Sequence, residues 1–110
     1  MSVYAQGLGP TAPVGDHFHL NNVAFAFLLD LCCWVSAVAK QVGDYNENEG
    51  EGLDAVDAGL LAHQLKAAIA DGRVARFDRV VQTRGAPPLA QVAVEFAAFC
   101  EACGGFEILP

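Results

Sequence analysis

Apolar positions along this chain recur mostly at helical spacing. From Asn21 or Asn22, either of which can cap a helix through its short amide oxygen, an apolar run continues to about residue 42, where Gly43 suits a left-handed stop. At 100° per residue it carries two apolar seams. One is Phe27, Leu31, Trp34 and Val38; the other is Phe25, Leu28, Cys32 and Val35. So wide an apolar face predicts a helix packed on at least two sides. It is expected to be the central rod of the fold, with Leu31 and Trp34 inside and truncation of the tryptophan costing roughly 3–5 kcal/mol.

A second helix is expected over about residues 54–71. Asp54 is its N-cap and Asp57 favours the positive end of its dipole. Its apolar face is Ala58, Leu61, Ala62, Leu65, Ala68 and Ile69. A third runs over about 89–103, with Leu89, Val92, Ala93, Phe96, Cys100 and Cys103 on one face and Gly104 as the stop. Residues 73–85 carry apolar positions that fit a short helix and β-branched content that fits a strand; a short helix or irregular connector is expected. After Gly105, Phe106 and Ile108 alternate with Glu107, which fits a short terminal strand or a pinned extended tail. Residues 1–20, broken by Gly7, Gly9, Pro10, Pro13 and Gly15, read as an irregular arm. The fold class expected is therefore mainly α: an arm over 1–20, then one helical domain over 21–110 with three principal helices, the first central, and a short extended tail.

Composition supports one globular domain. The chain has 110 residues, 54% of them hydrophobic, so a second chain is expected to cover some apolar surface, giving a homo-oligomer. The formal net charge of −7 opposes both nucleic-acid phosphates and an anionic membrane surface. Residues 23–39 are nearly all apolar, but they are short for a bilayer crossing and contain Asp30. No secretory leader is visible in the first residues, so a cytoplasmic, reduced protein is expected, with Cys32, Cys33, Cys100 and Cys103 as thiols.

Charge is segregated. Residues 44–57 hold six acidic and no basic residues, whereas residues 73–84 hold four arginines against Asp78. Asp44, Asn46 and Asn48 match the first oxygens of a calcium loop, yet its required glycine falls one place late and its closing glutamate is Ala55. A connector that ends in a helix cap is the simpler reading. Asp44, Glu47, Glu49 and Glu51 are then candidate contacts for a basic protein partner.

Cys100 and Cys103 form a C-x-x-C in the last turn of a helix, where the dipole opposes the thiolate that redox chemistry needs. His17 and His19 face the same way if extended, and Asp16 stands beside them. They are the candidate ligands for zinc or another divalent cation. His63 is expected to be exposed on the second helix, and Asp30 to face water. No phosphate loop, dinucleotide fingerprint or nucleophile elbow is present.

Three motifs together resemble a small family of uncharacterised bacterial proteins. They are the double asparagine opening an aromatic helix (Asn21, Asn22, Phe25), the N-x-G-x-G-L turn (Asn48, Gly50, Gly52, Leu53), and the F-x-x-F-C-x-x-C-G-G-F-E-I ending over residues 96–108. The resemblance implies no activity. The function expected is a non-catalytic protein-interaction module. Alternatives are a small metal-binding protein using His17 and His19, and a small enzyme whose site is not recognisable from sequence.

Overall fold

A computed structural model describes residues 2–42 and 51–109. It corrects the mainly α expectation. Its described residues build four α-helices and a four-stranded antiparallel sheet, a mixed α/β layer structure. The strands are β1 (Ser2–Gly7), β2 (His17–Asn21), β3 (Gly52–Leu53) and β4 (Phe106–Leu109), in the order β2-β1-β4-β3. The helices are α1 (Asn22–Val35), α2 (Ala55–Ala70), α3 (Arg73–Gln82) and α4 (Ala90–Ala102).

The N-terminal segment is a hairpin and not an irregular arm. Tyr4 pairs with His19 and Gln6 with His17, while Tyr4 also pairs with Leu109. The alternation carries the reason: Val3 and Ala5 are buried while Tyr4 is exposed, and half-buried Phe18 and Leu20 interleave with exposed His17 and His19. The glycines and prolines belong to the connection, which includes a 3-10 turn at Pro13–Gly15. Gly7 is there because a Cβ at that position would lie 1.9 Å from the Gly15 carbonyl oxygen.

The end of α4 locks this connection in place. Backbone N–H groups of Gly9 and Thr11 donate to the carbonyls of Cys103 and Ala102 at 3.0 and 2.8 Å, satisfying acceptors that a helix C-terminus leaves open. Gly104, at φ 66°, permits the turn into β4 and the close approach of Gly9. The C-terminal residues expected as a short strand thus lie between β1 and β3, in the interior of the sheet.

Helix one differs from the expected rod. Its start is as expected, the Asn21 side chain accepting the Ala24 N–H at 2.8 Å. It stops seven residues early, at Val35. Ser36 turns extended (φ −149°, ψ 124°), and Ala37–Val42 continue as a 3-10 helix that buries Ala39 and Val42. A short polar side chain after β-branched Val35 favours leaving the helix, and the redirection ends the seam that Val38 was to extend. The seam of Phe25, Leu28, Cys32 and Val35 is buried. On the other seam only Leu31 is buried, and Trp34 is 54% exposed. Helix one is therefore not clasped on two sides.

The core is instead shared between the helices and the sheet. Phe96 of α4 lies at its centre, with ring centroids 5.0 Å from Phe18, 6.0 Å from Phe99 and Phe106, and 6.3 Å from Phe25. Five of the seven phenylalanines, one from each of β2, α1 and β4 and two from α4, thereby meet in one cluster. The helix expected over 54–71 forms over 55–70, capped by Asp54, whose carboxylate accepts the Asp57 N–H at 2.8 Å. Residues 73–82 are helical, resolving the ambiguity of that stretch. Among the described residues no helix is long and apolar enough to cross a membrane.

Candidate functional site

The helices cover one face of the sheet, which leaves two surfaces carrying unusual side chains: the outer face of α1 with α3, and the open face of the sheet.

On α1, Val23, Phe27, Asp30 and Trp34 are spaced i, i+4, i+7 and i+11, so they form a single stripe along the helix. Val23 is 60% exposed, and with Asn22, Ala26, Phe27 and Asp30 it lines a shallow cleft of about 300 Å³. Further along the stripe the Trp34 ring lies 5.8 Å from Phe77 of α3, tilted 32°. These two rings, Val80 and Arg76 line a second cleft of about 400 Å³. Val80 is 55% exposed. Large apolar groups gathered on one face in this way mark a contact surface more often than an accident of composition.

The arrangement of α3 follows from its pattern. Val74 and Val81 are buried against the body of the fold. Phe77 lies to one side of that buried line, beside Val80, Arg73 and Arg76, on the flank nearest Trp34. Asp78 lies on the other flank, where its carboxylate accepts the Leu89 N–H at 2.8 Å and ties α3 to the start of α4. The acidic group of α3 is thus turned away from the cleft while Arg76 borders it. Arg73 is joined to Asp71 at 2.8 Å. The Arg73 backbone N–H, followed by its guanidinium, holds the Asp71 carboxyl below its ordinary range.

The open sheet face carries Tyr4, His17 and His19. The two histidines share this face, as an extended segment requires. The His19 ring stacks flat on Tyr4, with centroids 4.2 Å apart and planes 2° from parallel. His17 bonds through Nδ1 to Asp16 Oδ2 at 3.2 Å, which leaves Nε2 outward when Nδ1 carries the proton. Among the described residues no three histidine, cysteine or carboxylate groups gather closely enough to hold a metal ion. His63 is exposed, in a small cleft with Lys66 and Glu101.

The remaining candidates separate cleanly. Asp44, Glu47 and Glu49 lie outside the described residues; Glu51 is exposed, and its backbone carbonyl accepts the Ile108 N–H at 2.7 Å. Cys32 and Cys100 are buried, and burial pushes both thiols up. Cys33 and Cys103 are raised as well, also chiefly by burial. The C-x-x-C therefore sits where thiolate is disfavoured.

Sequence reasoning placed Trp34 in the core and missed the surface it builds. One signal pointed to it: residues 73–84 interleave arginines with Phe77 and Val80, a combination that suits an exposed rim better than an interior. Comparison of the chain with protein-family models, with curated proteins and with solved structures returns no match.

Proposed function

We propose that the chain is a non-catalytic protein-interaction module, and that its contact surface is the α1–α3 face, occupied by a helix of a partner protein. The observation that supports this reading is the half-exposed Trp34 lying on Phe77 beside Val80, in line with Phe27 and Val23. A helix laid along such a groove is a recurrent mode of recognition, with anchors at helical spacing filling successive clefts. The stripe from Val23 to Trp34 is about 16 Å long at the helical rise, room for about three turns of a bound helix. An exposed tryptophan with an arginine beside it is also the composition that dominates binding energy at interfaces.

The test is recovery of a stoichiometric partner from the source cells by the wild-type chain and by Val80→Glu, a change at an exposed position that leaves the fold intact. Loss of a specific partner in the variant, at unchanged melting temperature, is expected. Identical recovery by both chains overturns the assignment of this face.

A further inference from the structure

We propose that the helix occupying the α1–α3 groove is acidic: apolar or aromatic anchors seat on Trp34, Phe77 and Val80, and carboxylates beside those anchors meet Arg76 and its neighbours. This rests on the reading of the face given above and specifies the partner's chemistry.

The argument is one of charge placement. The chain has six basic residues against thirteen acidic ones. Four of the six, Arg73, Arg76, Arg79 and Arg84, lie on α3 or directly after it. Lys66, on α2, is joined to Glu101. Lys40 follows α1, close enough to the Cys33 thiol to act on it against Asp30. A strongly acidic protein has thus concentrated its positive charge on the element that forms one wall of its apolar groove. Among the described residues Arg76 makes no ion pair, although it lines the cleft. Asp71 is paired with Arg73 and acts on Arg76 only at longer range, and Asp78 is held on the far flank by the Leu89 N–H.

The opposite sign appears on the other wall. Asp30 sits in the stripe between Phe27 and Trp34. The groove therefore carries both signs, positive on the α3 wall beside Trp34 and negative on the α1 wall about one turn before it. The bound helix sets its acidic residues over Arg76 and a neutral or basic residue over Asp30.

A second copy is the weaker occupant. A two-fold contact would bring the arginine-bearing wall of each copy onto the same shared face, between two chains that each carry −7. An anionic membrane is weaker too. The net charge opposes it, and the Trp34 ring lies against Phe77 instead of standing clear of the surface.

Trp34 is the sole tryptophan, so its emission reports on the groove directly. Three tryptophan-free helical peptides with identical Leu and Phe anchors are titrated into the full chain. They carry Glu, Gln or Lys at the positions flanking the Trp34 end. The Glu peptide is expected to shift Trp34 emission to the blue and to bind about tenfold more tightly than the Lys peptide at low salt, the gap narrowing as salt rises. Arg76→Glu is expected to reverse the order at unchanged melting temperature. Equal binding of all three peptides, or preference for Lys, overturns the acidic partner while leaving the groove assignment standing. If no peptide moves the emission, the groove assignment itself falls. Concentration-dependent dimerisation that shields Trp34 from iodide makes a second copy the occupant and overturns the proposal. A blue shift with phosphatidylserine vesicles but not with the Glu peptide does the same in favour of a lipid surface.

Discussion

Phe96 and Trp34 invite comparison because both are large aromatic residues on apolar helices, and they meet opposite fates. Phe96 is enclosed by aromatic rings from two strands, α1 and its own helix. Among the described residues Trp34 has one aromatic neighbour, Phe77, and more than half of its surface is open. The difference lies in what the chain brings to each side. The sheet closes over the faces of α4 and α1 that hold Phe96 and Phe25. The break at Ser36 sends the following residues inward, and among the described residues α3 is what stands beside Trp34. Hydrophobicity alone does not decide burial; the available covering element does.

The largest test of this contrast is Phe96→Ala. Loss of the central ring is expected to cost about 3–5 kcal/mol in urea unfolding, and a cost near that of a surface substitution would break the comparison. Alkaline pH sharpens it within α1, because Cys32 lies on the covered side of the helix that exposes Trp34. The folded thiols of Cys32 and Cys100 are held above an ordinary thiol near 9.0. Their contribution to stability is complete below that value. It is lost as pH rises above it, where the unfolded thiols ionise and the buried ones resist. The melting temperature is expected to fall above about pH 9, and less steeply in a Cys32→Ala/Cys100→Ala variant that is weaker at neutral pH.

Asp54→Ala sets the scale for a purely local loss. Removing the carboxylate that caps α2 is expected to cost about 1 kcal/mol by urea unfolding. Trp34→Ala is expected to cost well under the loss at Phe96, because more than half of the residue stays in water on folding. A loss of several kcal/mol there would mean that the ring is an interior residue after all.

Much of the helical half was legible in the sequence. The faces of α2 and α4 have enough turns for a 3.6-residue period to be unmistakable, and Asp54 and Gly104 mark where α2 starts and α4 stops. The hairpin was not legible as such. β1 and β2 are six and five residues long, and the alternation of Val3, Ala5, Phe18 and Leu20 was masked by the glycines and prolines between them. Those glycines serve close backbone approach, a three-dimensional need that leaves no local pattern. The stop at Ser36 was hidden because one serine in an apolar run is also compatible with a continuous helix. The candidate site suffered from the same cause. Its basic wall was visible as four arginines in residues 73–84, but the exposure of Trp34 depends on which seam the sheet takes, and that pairing joins segments about a hundred residues apart.

That separation has a consequence for how the molecule is made. β1 hydrogen-bonds to β4, so a strand has to wait for one about a hundred residues later before its second ladder can close. Until then the ribosome holds a chain whose inner strand edge and phenylalanines are open, and closing so long a loop is slow relative to helix formation. The arrival of β4, and not the emergence of any single helix, is then the moment at which that edge is covered.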